Sequence, residues 1–318
     1  MHKPFEFEIE GNVFRMERIS KSELNALTDL FNKARDRKLK YSFFEKKYDT
    51  AWTGKSNIAI VIKDQKNSII GHLGVLPQFV QIGKNKILAG QISDAVLDPV
   101  LRGQNVFEKL ISELASLSKD EGLAFLFVSP SPQAVKGFEL DNWKEVNHLK
   151  IYVIPVKAIP LNKAFNKLSW FKAYHAFIQL VLPLISKKTK KFTNPNFDIE
   201  KNGLDISREY ILHKNYTNNY LVKKGKFTFW FKIEDGLEIG NIEFFPESEF
   251  PEFLKTLKSF AGFLGCHQVK IVTTEGTFQD KIFSGQQLIE GNKIYFKALN
   301  DEPEFGDILI NGSDLNTF

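Results

Sequence analysis

Residues 98–110 read DPVLRGQNVFEKL, and this stretch is the most informative part of the sequence. It follows an apolar run at residues 89–97, which predicts a strand, and it continues into an amphipathic helix. An Arg102-Gly103 turn lies between the two elements. This order gathers backbone N–H groups at the start of a helix, where they suit a phosphate or pyrophosphate. The stretch therefore predicts an anion site at that turn.

The surrounding segments predict a mixed sheet, of α+β or α/β class, in the first half of the chain. Alternating or β-branched runs predict strands, and periodic apolar positions predict helices. The predicted strands are 13–18, 58–63, 69–79, 87–97, 123–128 and 146–153, and the predicted helices are 20–34, 38–49, 104–120 and 134–140. Antiparallel strands thus lead into a βαβ unit with a right-handed crossover, in one domain of about 150 residues.

The second half repeats part of this order. Asp235-Gly236 predicts a hairpin between strands at 227–233 and 237–244. A helix at 248–260 and strands at 269–274 and 293–296 follow. The chain has FPESE, residues 245–249, where the first half has its Arg-Gly turn, so a second copy of the fold would lack the anion site. We therefore expect a first domain at 1–156, a helical linker at 157–202 and a second, degenerate domain at 203–318.

Composition indicates an ordinary globular protein. The chain has 318 residues, of which 43% are hydrophobic and 25% charged, and its formal net charge is +5. Lysines are spread along the chain with one local excess at 187–191, which we interpret as a solvated linker. This pattern lacks the basic stripe typical of a nucleic-acid binder. The single cysteine, Cys266, excludes an intrachain disulfide and favours a buried, inert thiol in a reducing, cytoplasmic compartment.

Targeting, membrane and metal signals are weak. The first ten residues, MHKPFEFEIE, contain no apolar segment typical of a secretory signal. The longest apolar run, 173–185, is shorter than the roughly 20 residues that span a bilayer and contains Pro183, so we expect a buried or interfacial helix. The six histidines are dispersed without metal-ligand spacing, and no nucleophile elbow or complete P-loop occurs.

The turn and its neighbours resemble the acyl-CoA-binding motif of the GNAT acyltransferase superfamily. That motif has a strand ending in V-x-V-x-P and then R/Q-x-x-G-x-G/A; here the segments are AVLDP at 95–99 and RGQNVF at 102–107. Asn105 stands where the family has its central Gly, and Asn is the residue that best tolerates the left-handed region after Gly. Phe107 replaces a usually small residue. A later family pattern, Y-x-K-x-G-[FW], is matched loosely by residues 138–143, and the resemblance covers about residues 5–156.

The resemblance implies a GNAT-like fold, with a second GNAT-like half, that binds acetyl-CoA or another acyl-CoA and uses no metal. It implies that the turn holds the pyrophosphate and that the strand edge before it pairs with the pantetheine amides. The residues implied to bind the cofactor are Ala95, Leu97, Arg102, Gly103, Gln104, Asn105, Val106, Phe107 and Ser131.

The catalytic residues are less clearly predicted. Many family members protonate the departing thiolate with a Tyr, where this chain has Phe138. Asp94, beside the expected acyl slot, is the candidate base or substrate anchor, and a structural role at a strand bulge is the alternative. His72 is a weaker candidate base. No motif ranks four second-half residues that could contribute to the acceptor pocket, namely Tyr216, Tyr220, Glu238 and Glu243.

The sequence thus predicts an N-acetyltransferase in which a small-molecule or peptide amine attacks the thioester directly. One alternative is a tandem transferase of aminoacyl or peptidyl type in envelope or polysaccharide synthesis. The other alternative is a non-catalytic ligand-binding protein on the same fold. Under the first alternative, the lysine run and the apolar helix would suit a substrate near a membrane and weak contact with the membrane surface, without a transmembrane span. The acceptor and the oligomeric state are not predicted.

Overall fold

The computed structural model describes residues 4–35, 38–103, 105–161, 171–198, 201–300 and 308–318. The chain divides into two compact units. Unit 1 comprises residues 1–80, 86–146 and 292–306, and unit 2 comprises residues 81–85, 147–291 and 307–318.

Unit 1 is built on a twisted mixed sheet with helices packed on it. Its strands follow in the order β1 to β6 across the sheet, with β1 to β4 antiparallel and β5 parallel to β6. The strands are β1 (Phe5–Ile9), β2 (Asn12–Arg18), β3 (Ile58–Lys63), β4 (Ile69–Ile82), β5 (Asn85–Leu97) and β6 (Phe125–Val128). The helices are α1 (Leu24–Arg35), α2 (Ser42–Tyr48), α3 (Val106–Asp120) and α4 (Val135–Leu140).

Strand β3 shows how the sheet separates two apolar layers. All six of its residues are buried, and successive side chains of a strand point to opposite faces. Ile58, Ile60 and Ile62 pack with the apolar side of α3, whereas Ala59 and Val61 pack with α1 and α2. The unbroken apolar run at 58–63 therefore arises because both faces of this strand are covered.

Unit 2 contains hydrogen-bonded strands in the order β7, β13, β12, β11, β10, β8. Its strands are β7 (Lys144–Pro155, from residue 147), β8 (Lys187–Lys188), β9 (Asn202–Leu204), β10 (Asn219–Lys224), β11 (Phe227–Glu234), β12 (Gly236–Ile242), β13 (Gln268–Thr274), the first part of β14 (Gln287–Ala298) and β15 (Ile308–Leu309). Its helices are α5 (Phe171–Ile185), α6 (Pro195–Asp198), α7 (Arg208–His213), α8 (Phe250–Phe263) and α9 (Phe278–Phe283). Strands β12 and β13 are parallel, as β5 and β6 are in unit 1.

The order of elements supports the prediction of a second GNAT-like half. In unit 2, β11, β12, α8, β13, α9 and β14 follow one another as β4, β5, α3, β6, α4 and β7 do earlier in the chain. The start of α8 is acidic, because Glu247 and Glu249 precede it and Glu252 lies in its first turn. Negative charges at a helix N-terminus stabilise the helix, but they would repel a phosphate bound there.

The boundaries of the units differ from those predicted. Residues 147–155 of β7 belong to unit 2, where they pair with β13, and residues 292–298 of β14 belong to unit 1, where Tyr295 pairs with Val128 of β6. The predicted linker at 157–202 lies within unit 2, because α5 places Tyr174, Ile178 and Leu182 in its core. The sequence also missed β1 and made α2 begin four residues too early.

Two predictions for single elements are tested by unit 2. Cys266 is buried, and burial raises the pKa of its thiol to about 11, so it is inert as expected. The apolar run at 173–185 forms α5, which is buried on one face. No helix in the described ranges is long and apolar enough to cross a membrane.

A substitution at Gly90 tests the close packing of the parallel strands β5 and β6 in unit 1. Gly90 lies opposite Leu126 of β6, and a Cβ atom on it would meet Leu123 at 2.6 Å and Leu126 at 2.7 Å. We expect Gly90→Ala to lower the free energy of unfolding by about 1–3 kcal/mol because the core is overpacked. Gly285→Ala is the control, since nothing lies within 4 Å of its Cβ position. Urea unfolding of both variants checks this, and an unchanged Gly90→Ala protein would contradict it.

Candidate functional site

The turn after β5 has the backbone that its sequence predicts. The Asp98 side chain accepts a hydrogen bond from the Val100 N–H at 3.1 Å and caps a short 3-10 turn at Pro99–Leu101. Gly103 has φ +76°, and Asn105 has φ +52° and ψ +22° immediately before α3. Asn105 therefore adopts the left-handed conformation expected of the family's central Gly. Gln104, also predicted to bind the cofactor, lies outside the described residues.

A cavity of about 590 Å³ opens at this turn. It is lined by every other residue predicted to bind the cofactor, namely Ala95, Leu97, Arg102, Gly103, Asn105, Val106, Phe107 and Ser131. It is also lined by residues that sequence reasoning missed, namely Ala34, Val96, Leu101, Glu108, Gln133, Ala134, Lys136, Gly137 and Leu140. Five of these missed residues lie on or just before α4, and only the fold brings that helix to the turn.

The shape of the cavity follows from the parallel strands beside it. Strands β5 and β6 pair at Gly90 with Leu126 and at Gln91 with Phe127. Strand β6 ends at Val128, whereas β5 continues to Leu97 and carries a left-handed residue, Asp94, with φ +58°. A left-handed residue departs locally from the extended backbone of a strand. The last residues of β5 thus reach the cavity wall.

The electrostatics of the cavity favour an anion. Arg102 and Lys136 are exposed cations on its wall, and Glu108 is the acidic residue among its described lining residues. Helix α3 is 15 residues long, and its first N–H groups have no partners within the helix. The positive end of its dipole therefore faces the same space as the two cations.

Phe107 packs against α4. Its ring meets the Phe138 ring edge-on at a centroid distance of 5.7 Å. A Cβ atom on Gly137 would lie 2.6 Å from the Phe107 ring, so this glycine is what allows the ring to fit. Phe138 is itself buried, with its ring 5.0 Å from that of Trp143. Position 138 is thus a packing position that supplies no proton.

Asp94 lies at the centre of a buried polar network. Its carboxylate accepts hydrogen bonds from Lys47 Nζ at 2.8 Å, Tyr48 Oη at 3.0 Å and Ser93 Oγ at 2.8 Å. Burial alone would raise the pKa of Asp94, but the adjacent Lys47 ammonium holds it below its ordinary value. Asp94 is therefore ionised at neutral pH and weakly basic. This geometry suits the alternative of a structural role for Asp94 within β5, and its role as a base stays a prediction.

His72 is part of the same network and is fully buried. Its Nδ1 lies 2.7 Å from the Asp94 backbone oxygen, and its ring packs edge-on against Phe31 and Tyr48. Burial lowers the pKa of His72 to about 4, so the ring is neutral at physiological pH. Because Nδ1 must donate its proton to a carbonyl oxygen, the neutral ring carries its hydrogen on Nδ1.

The four second-half residues considered for the acceptor pocket are engaged separately within unit 2. Tyr216 donates to the Asn316 carbonyl at 3.0 Å, and Tyr220 Oη lies 3.2 Å from His175 Nδ1. Glu238 pairs with Lys232 at 3.1 Å, and Glu243 accepts from the Thr193 N–H at 3.3 Å. The contacts give them no shared site. Within the described ranges, no group of three His, Cys, Asp or Glu side chains is placed to hold a metal ion.

Solved structures share this fold at low sequence identity. A GCN5-related N-acetyltransferase from Kribbella flavida aligns over 90% of this chain and 71% of its own, with a TM-score of 0.58 and 11% identity. A putative acetyltransferase from Pyrococcus horikoshii aligns over 96% of this chain and 95% of its own, with a TM-score of 0.54 and 10% identity. Saccharomyces cerevisiae N-myristoyltransferase with bound myristoyl-CoA aligns over 90% of this chain and 79% of its own, with a TM-score of 0.54 and 11% identity. The fold is thus that of GNAT acyltransferases.

The family comparison agrees with the fold. Residues 15–139 match the family described as "Acetyltransferase (GNAT) domain". No curated protein matches the chain at the level of sequence. The matched residues contain the turn motif, and the match confirms the resemblance to the GNAT superfamily over this part of the chain.

The buried His72 predicts a loss of stability in acid. Its pKa is lower in the folded state, so unfolding takes up a proton below about pH 6.5, and stability falls as the pH drops from there toward 4. We expect the wild type to lose about 2–3 kcal/mol more than His72→Gln between pH 7.5 and pH 4.5, roughly what the shift implies. Urea unfolding at both pH values measures this difference.

The control for this experiment is His148→Gln, which replaces a histidine whose side chain is 41% exposed. It should retain the acid sensitivity of the wild type. Asp94 does not affect this comparison. Its pKa is lower in the folded state than the ordinary value of 3.8, so its carboxylate stays ionised and stabilising at both pH values of the experiment. Equal losses in the wild type and His72→Gln would show that His72 is not buried in its neutral form.

Proposed function

We propose that the protein is an N-acyltransferase that moves an acyl group from acyl-CoA to an amine, with acetyl-CoA as the leading donor. The cavity at the turn carries the proposal. It combines a helix N-terminus, two left-handed turn residues, two cations and the end of a strand in one concave site. These are the groups that an anionic pyrophosphate joined to an amide-containing arm requires.

The donor would lie along the wall that the turn and β5 form. Backbone N–H groups of Gly103, Asn105, Val106 and Phe107 would bind the pyrophosphate, and Arg102 would neutralise its charge. The backbone near Ala95 and Leu97 would pair with the pantetheine amides as an added strand does. Gln104 and Ser131 are retained as proposed contacts. The bound myristoyl-CoA of the yeast neighbour supports acyl-CoA as the donor class.

The reaction proposed is a direct transfer. The neutral amine nitrogen attacks the thioester carbonyl carbon, the C–S bond breaks, and the nitrogen loses a proton as the amide forms. Phe138 cannot protonate the sulfur, but a thiol of pKa near 8.5 is an adequate leaving group as the thiolate. Holding donor and acceptor together would then supply most of the acceleration.

Asp94 has one proposed role in this scheme. It remains the candidate base or substrate anchor because it directly precedes Ala95 of the cavity wall. The contacts with Lys47, Tyr48 and Ser93 favour an anchoring role, in which the carboxylate fixes the left-handed backbone of Asp94 in β5. The acceptor is proposed to be a small-molecule or peptide amine. The buried, inert Cys266 is consistent with the proposed cytoplasmic location.

Charge reversal at the turn tests the donor site. Arg102 is exposed on the cavity wall, so Arg102→Glu should leave the fold intact while placing a negative charge against the pyrophosphate. We expect CoA binding to weaken by at least about 30-fold, or about 2 kcal/mol, as the loss of one charge-assisted hydrogen bond implies. Calorimetric titration with CoA measures this.

The matched control is Lys119→Glu, which reverses an exposed charge in the last turn of the same helix. It should bind CoA as the wild type does. Unchanged CoA affinity in Arg102→Glu would refute this placement of the donor.

Thiol release tests the reaction itself. The protein is incubated with acetyl-CoA and longer acyl-CoAs across a panel of small and peptide amines, and free CoA is detected with a thiol reagent. We expect amine-dependent release that Arg102→Glu abolishes. Tight CoA binding with no release for any amine would contradict the enzyme proposal and favour a ligand-binding protein on the same fold.

A further inference from the structure

Helix α5 of unit 2 is apolar on two opposite faces. Its inner face places Tyr174, Ile178 and Leu182 fully in the core of that unit, and the Tyr174 hydroxyl donates to the Leu264 carbonyl at 2.6 Å. These contacts fix how the helix lies. Its other face cannot turn inward without losing them.

The outer face of α5 exposes large apolar side chains. Leu180 is 76% exposed, Leu184 is 82% exposed and Phe177 is 37% exposed. The spacing of three and four residues places them along one side of the helix. A surface helix of a globular protein normally presents polar residues on this side. A contiguous exposed apolar patch of this kind marks a surface that contacts another protein or a membrane.

Lysines follow this face directly. Lys187 and Lys188 form the edge strand β8 and are exposed, as are Lys190 and Lys191. Lys187 lies opposite Lys223 of β10, so the cationic charge continues onto the neighbouring strand. Like charges placed opposite each other destabilise a sheet, so this pairing lowers its stability.

The charge of the chain is concentrated in this region. Residues 157–197 contain eight Lys and no Asp or Glu, whereas the whole chain has a net charge of only +5. The remainder of the chain is therefore net acidic, at −3. The excess of positive charge in the protein therefore lies in the segment that contains α5 and β8.

We propose that this surface, Phe177, Leu180, Leu184 and the lysines at 187, 188, 190 and 191, docks on an anionic lipid membrane. The apolar side chains enter the boundary between headgroups and acyl chains, and the lysines contact the anionic headgroups. A second copy of the chain fits the surface less well, because an isologous contact would bring the two lysine clusters together. The inference stands on unit 2 alone and is independent of the proposed acyl transfer.

Vesicle co-sedimentation of the full chain tests the proposal. The wild type is compared on vesicles of phosphatidylcholine alone and of an equal mixture of phosphatidylcholine and phosphatidylglycerol. We expect binding to the mixed vesicles, at least about tenfold weaker binding to the neutral ones, and loss of binding when about 1 M salt shortens the screening length to about 3 Å.

Two variants separate the apolar and the cationic contributions. The double variant Leu180→Gln with Leu184→Gln changes exposed side chains only, and replacing Lys187, Lys188, Lys190 and Lys191 with Gln removes the cluster. Each should weaken partition to the mixed vesicles by about tenfold or more. The control for the apolar variant is Leu288→Gln with Ile289→Gln, two residues that are also exposed in unit 2. The control for the lysine variant replaces four other exposed lysines with Gln, namely Lys38, Lys40, Lys46 and Lys119. Both controls should bind as the wild type does, and circular dichroism should show all four proteins folded.

The proposal fails if the wild type does not bind the mixed vesicles, or if the folded Leu180→Gln, Leu184→Gln variant binds them as strongly as the wild type. It also fails if the wild type is a dimer in solution that this variant converts to a monomer, since the apolar face would then be a contact between copies. Neither result would bear on CoA binding at the turn in unit 1, so the two proposals can fail separately.

Discussion

Near the end of β5, Asp94 adopts a left-handed backbone, and its carboxylate accepts a hydrogen bond from Lys47 Nζ at 2.8 Å. A non-glycine residue in this conformation costs free energy, so its surroundings must fix it. The buried ion pair and the Tyr48 hydrogen bond do so from α2, and Gly74 leaves room for the Tyr48 ring. The course of β5 beyond this point, and with it the cavity wall, depends on this arrangement.

The turn could be predicted from the sequence because its determinants are local. Gly103 and Asn105 are residue types that accept a left-handed backbone, and both adopt it. The partner of Asp94 could not be predicted, because Lys47 is 47 residues away. One signal was available in hindsight: Lys47 shares the buried side of a short helix with Phe44 and Tyr48, where a lysine needs a counter-ion. The pairing of Tyr295 with β6 is likewise long-range and left no local pattern.

The two halves of the chain share one order of elements but differ at the N-terminus of the helix that connects their parallel strands. In unit 1 the helix after the parallel pair begins with Gly103 and Asn105, and its N-terminus faces an open cavity. In unit 2 the corresponding helix begins among glutamates, which leave no place for an anion. Unit 2 instead presents an apolar helix face beside lysines. Under the two proposals, the first half would carry the chemistry and the second half would hold the protein at a surface.

A crystal structure of the protein with CoA would reveal where the donor binds. We expect electron density for the pyrophosphate within hydrogen-bonding distance of the backbone nitrogens of Gly103, Asn105, Val106 and Phe107. We also expect the pantetheine arm to run beside Ala95 and Leu97. A cofactor bound elsewhere, or density at the turn that is only solvent after soaking and co-crystallisation with CoA, would contradict the account.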